Sequence, residues 1–138
     1  MRDLYYKLWS DAINYEKEKH SHIRNWKPYV LFGISFCQGL NLATILFWLS
    51  TWLKFGFFLE INIFPGEILN SAMSGIITLY LPFIIFNYIL IFRNKKYNIV
   101  LEAHPYQKGK LYIGYYLLSF SIFIIPILIG FLINRLGY

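Results

Sequence analysis

The sequence predicts an all-α integral membrane protein with three transmembrane helices and an N-terminal cytoplasmic amphipathic helix. Three observations predict it. Residues 28–53, 68–92 and 111–134, stretches of 26, 25 and 24 residues, contain no Asp, Glu, Lys, Arg or His. A helix rises about 1.5 Å per residue and the hydrocarbon core of a bilayer is about 30 Å thick, so each stretch can cross it. The chain is also 57% hydrophobic and 21% aromatic, above the roughly 45–50% apolar content of soluble domains.

The third observation is where the cations fall. Arg2, Lys7, Lys17, Lys19, Arg24 and Lys27 precede the first stretch, and Arg93, Lys95, Lys96, Lys108 and Lys110 lie between the second and third, leaving only Lys54 and Arg135 on the other side. Cytoplasmic loops retain Lys and Arg because translocating them is unfavourable. The N-terminus is therefore expected in the cytoplasm and the C-terminus outside, in a plasma or inner membrane. The segments outside the spans are too short to bury cores of their own, so residues 1–138 form one membrane domain.

Residues 2–25 form the cytoplasmic helix. Leu4, Tyr5, Leu8 and Trp9, continued by Ala12 and Ile13, fall on one helical stripe, a face suited to the inner headgroup region or to a partner. The first 27 residues carry ten charges and lack the apolar run of a signal peptide, so the first span stays attached. That span covers residues 29–53, with Pro28 in its first turn, where a missing amide hydrogen costs nothing. Residues 54–70 make an outer loop with too many Phe and Ile residues to be freely solvated, turning at Pro65-Gly66. The second span covers 71–92, a basic cytoplasmic loop 93–110, and the third span 111–134. Trp26, Tyr29, Tyr97, Tyr112, Tyr115 and Tyr116 belong near the inner interface, Trp48, Trp52 and Tyr138 near the outer.

Within the spans, polar and small residues mark packing surfaces. Ser35, Gln38, Asn41 and Thr44 recur every three residues in the first span. Ser71 with Gly75, and Ser74 with Thr78, are small pairs four apart that permit close backbone approach. Counting inward from the cytoplasmic side puts Gln38, Asn41, Asn87, Ser119 and Ser121 in the inner half of the bilayer, as helix-to-helix hydrogen bonds or as a small polar cavity. Pro82 and Pro126 each remove a helical hydrogen bond and predict kinks. Gly130 and Asn134 continue the Pro126 face.

Other chemistry finds no pattern. His20, His22 and His104 do not form a metal-ligand spacing, Glu60 and Glu67 lack a third group, Ser10 lacks a base, and Cys37 is expected as a small buried hydrophobe. No cofactor and no metal are expected. The spans carry none of the intramembrane Asp, Glu, His, Lys or Arg on which proton relays and coupled transporters depend. The basic residues flank spans and belong to no nucleic-acid recognition module, so no nucleic acid is expected. The expected partners are membrane lipids and other transmembrane proteins, or copies of the chain itself.

The expected function is a non-enzymatic accessory or interaction subunit of a larger membrane complex, because three helices cannot cover all these surfaces among themselves. The alternatives are a small pore or lipid-handling carrier built on the polar cluster, and an immunity or regulatory protein. In size and layout the chain resembles some membrane-embedded immunity proteins against pore-forming toxins, which implies recognition of a toxin's spans and carries no residues over.

Overall fold

A computed structural model describes residues 2–21, 25–53 and 61–136, and among them there is no strand. Helix α1 (Arg2–Lys19) leads to α2 (Lys27–Leu53). A second long helix follows in four parts: α3 (Glu67–Gly75), a π-helical turn (Ile76–Tyr80), α4 (Leu81–Asn87) and another π-helical turn (Tyr88–Phe92). A 3-10 turn (Arg93–Lys95), α5 (Tyr97–Ala103) and α6 (Lys110–Leu136) complete the order. Three stretches, Lys27–Ser50, Glu67–Lys95 and Lys110–Ile129, are long and apolar enough to cross a membrane.

The two prolines are accommodated differently. Pro82 stands second in α4. Immediately before it the helix widens, so that the Leu81 N–H reaches back five residues to the Ile76 carbonyl. A wide turn relieves the clash between a proline ring and the preceding turn. Pro126 lies inside α6, which runs unbroken past it.

Helix α2 is the middle member, packing on α6 along one side and on the second long helix along another. Close approach on the second side depends on Gly39, where an added Cβ would strike the Tyr80 ring and come within 3.2 Å of the Leu79 carbonyl. Gly39→Leu is therefore expected to destabilise the chain by about 1–3 kcal/mol. Gly75→Leu should leave the isolated chain unaffected, since nothing lies within 4 Å of a Cβ there. Thermal unfolding of both variants in detergent would check the pair, and equal midpoints would contradict it.

The buried core is concentrated at the end of the bundle where α1 lies. Trp9, Ala12 and Ile13 of α1 meet Val30 and Ile34 of α2, Ile91, Val100 of α5 and Tyr112 of α6. Phe92 packs its ring edge-on to Trp9 at 5.7 Å, and Trp26 sits edge-on to Tyr97 at 5.5 Å. Towards the other end the long helices leave apolar residues uncovered, among them Phe47, Trp48, Ile76, Ile125 and Leu128.

Three expectations need correction. The N-terminal helix ends at Lys19 rather than residue 25, and its stripe is covered from within the chain. Trp9 is fully buried, Tyr5 and Leu8 pack against the core, and only Leu4 stays 62% exposed. Trp9, Ser10, Asp11, Ala12 and Ile13 are all at 0% exposure, so the middle of α1 is enclosed on its polar side too, and the one-sided amphipathic reading does not hold there. The basic loop 93–110 contains α5, whose Val100 is buried, because α1 offers that segment an apolar surface. The second long helix starts at Glu67 rather than residue 71. Of the outer loop, residues 54–60, including Lys54 and Glu60, lie outside the described residues.

Candidate functional site

A helix turns about 100° per residue, so each step of three along α2 falls about 60° short of a full turn. Ser35, Gln38, Asn41 and Thr44 therefore fan around the helix, with the first and last on opposite faces. Ser35 and Gln38 meet the second long helix, Asn41 meets α6, and the Thr44 hydroxyl donates to the Leu40 carbonyl of its own helix at 3.0 Å.

The first half of the site centres on Asn87, at 0% exposure. Its Nδ2 donates to Gln38 Oε1 at 2.7 Å and to Ser35 Oγ at 2.9 Å, and its Oδ1 accepts from the Tyr5 hydroxyl at 2.6 Å. Three helices are thereby joined through one amide. Burial raises the Tyr5 phenol from its ordinary value, so at neutral pH it is protonated and donates. Asn87 also closes α4 just before the second π turn.

The second half joins α2 to α6. Asn41 Nδ2 donates to Ser119 Oγ at 3.1 Å and to the Tyr115 hydroxyl at 3.4 Å. Its Oδ1 is buried without a hydrogen-bond partner, so this half is less completely satisfied. Nearby, an added Cβ at Gly33 would lie 2.6 Å from the Tyr112 hydroxyl and 2.7 Å from that of Tyr116. The missing side chain lets both phenols reach the α2 backbone.

Not all the predicted residues assemble. Ser121 is exposed, because two residues beyond Ser119 point about 200° away on the helix. Ser71 is exposed, whereas Ser74 is buried and accepts the Ile61 N–H at 3.1 Å. Thr78 is half-buried and Pro82 exposed. Gly130 lies within α6, and its packing falls outside the described residues.

Residue patterns missed a further group altogether. The Asp11 carboxylate, fully buried, accepts four backbone N–H bonds at the start of α6. Gln107 and Gly109 donate to Oδ1 at 2.9 and 3.0 Å, Leu111 and Tyr112 to Oδ2 at 2.9 and 3.2 Å. The first N–H groups of a helix have no partner within it and carry the positive end of its dipole, so a carboxylate is the favoured cap. Here it comes from a helix about 100 residues earlier in the chain. Gly109 has φ +76°, and a side chain there would run into the Tyr15 ring, so glycine completes the turn that presents these amides.

Ser10 Oγ donates to the His104 carbonyl at 2.8 Å, tying α1 to the end of α5. His20 lies 3.0 Å from Glu16 and His104 3.7 Å from Asp3, while His22 lies outside the described residues. Among the described residues no three His, Cys, Asp or Glu side chains come together as metal ligands. The site is an amide and hydroxyl junction whose members bond chiefly to one another, an arrangement that sets helix register.

No family model, curated protein or solved structure matches the chain. Its class rests on its own geometry: it is an all-helical protein with three helices long and apolar enough to cross a membrane.

Proposed function

We propose that the chain is a non-enzymatic membrane subunit whose three long helices cross the bilayer, with the basic end in the cytoplasm, and whose far half receives the helices of a partner or of a second copy. The observation that carries this reading is the uneven closure of the bundle. At the basic end α1 and α5 cover the long helices, but on the second long helix Ser71 is exposed and Gly75 has open space where a side chain would stand. In lipid, helices associate through close packing, and small residues four apart provide it. The internal hydrogen bonding of Ser35, Gln38 and Asn87 supports packing over an open polar path.

The test is gentle detergent extraction of the tagged full-length chain, followed by mass measurement. The wild type is expected to carry a second copy or a copurifying membrane protein. Gly75→Leu, expected to leave the isolated chain intact, should retain about tenfold less. A clean wild-type monomer would overturn the proposal.

A further inference from the structure

A cleft of about 460 Å³ opens between α1, α2 and α6, within the roughly 300–1,000 Å³ of small-ligand sites. Leu4 and Leu8 of α1 and Leu118 of α6 wall it, Gln38 and Tyr5 reach into it, and Lys110 stands beside it where α6 begins. The cleft exists because position 114, also in its wall, is glycine: nothing lies within 4 Å of where a Cβ would be. From Lys110 to Leu118 it extends over eight residues of helix, about 12 Å.

The cation beside it, Lys110, has no acidic partner among the described residues. The acids of α1 are each engaged: Asp3 with Lys7 at 2.7 Å, Asp11 with backbone amides, Glu16 with His20, and Glu18 with the Tyr106 hydroxyl at 2.7 Å. Among the described residues Lys110 forms no ion pair, and Lys108 precedes it by two. An apolar slot headed by an unpaired ammonium at the end of a membrane-crossing helix matches a molecule with a hydrocarbon tail and an anionic head.

We infer that this cleft binds an anionic phospholipid of the cytoplasmic leaflet, one acyl chain lying along Gly114 and Leu118 and the phosphate on Lys110. The inference rests on the proposal that the long helices cross a membrane. Water is excluded at that depth, so a slot facing lipid is filled by an acyl chain, and Lys110 adds the preference for an anionic head. Among the polar groups at its floor, the Tyr5 hydroxyl and the Gln38 carbonyl oxygen are already bonded to Asn87, and the Tyr115 hydroxyl to Asn41.

The test uses the full chain in vesicles of equal phosphatidylglycerol and phosphatidylcholine, with a photoreactive residue in place of Leu118 or, as a reference, of the exposed Ile129. Adducts at 118 are expected to favour phosphatidylglycerol about fivefold, and those at 129 to show no preference. Lys110→Gln should abolish the preference at 118, while Gly114→Phe should deplete lipid adducts at 118 and leave those at 129. Equal capture of the two lipids at 118 in the otherwise unaltered chain, or capture of a second protein chain there, would overturn the lipid site while leaving the membrane reading intact. An absence of lipid adducts at 129 as well would overturn the membrane reading and the site with it. Lys110→Gln changes one exposed side chain, so its result stands even where Gly114→Phe fails to fold.

Discussion

Asp11→Ala is expected to lower the unfolding free energy by about 3 kcal/mol, the largest effect of any single polar substitution in the chain. Hydrogen bonds to a charged group are worth about 1.5–3 kcal/mol each, and donors left buried lose their solvation as well. Four amides lose their acceptor at once, and the buried Gly109 and Tyr112 are screened from replacement by water. Relaxation of the turn keeps the total well below four times the single-bond value. Asp11→Asn keeps one acceptor oxygen in place and should cost about half as much. Asp3→Ala removes an exposed acid from the same helix, ion-paired to Lys7, and should move the transition far less, because exposed ion pairs contribute little. Denaturant titration in detergent micelles would check the series. An Asp11→Ala transition at the wild-type midpoint would show that the carboxylate does not hold α6.

The second large effect is expected at Asn87. Leucine has the same branching and the same number of side-chain heavy atoms, but Asn87→Leu leaves the Tyr5 hydroxyl, the Gln38 amide and the Ser35 hydroxyl without their common partner. The expected cost is about 1–2 kcal/mol, since hydrogen bonds between apolar helices are individually modest. Tyr5→Phe alone should cost about 1 kcal/mol. The double variant should cost less than the two together, because both remove the same bond. Strict additivity in the same titration would show that the two residues do not share a network.

Both effects bear on what could be read from residue order alone. The three long helices were legible because exclusion of charge from hydrocarbon is written along the chain, one residue after another. Counting inward from one side places Gln38, Asn41, Asn87 and Ser119 in the same half of the long helices, but it does not say that Gln38 meets Asn87 and Asn41 meets Ser119. Depth does not specify direction, and so Ser121, two residues from Ser119, was grouped with a cluster it faces away from. The stripe of Leu4, Tyr5, Leu8 and Trp9 announced an apolar face without saying that the cover would come from α2, α5 and α6 of the same chain. Asp11 could not be found at all: its partners are main-chain amides, which every residue but proline possesses, so no pattern of side chains points to them. The Lys108-Gly109 turn is the one local hint. The open space at Gly75 and the tight contact at Gly39 likewise look alike as letters and differ only in what stands opposite.

The bond between Asp11 and the start of α6 also sets an order of events during synthesis. The carboxylate is made early, and the amides it needs, at Gln107 to Tyr112, emerge about 100 residues later. Until then a negative charge destined for full burial has no acceptable place inside, and α1 must wait outside the bundle. Docking of α1 thus waits for the segment up to Tyr112, and a nascent chain stopped short of that residue would leave its N-terminal helix without the amides that receive Asp11.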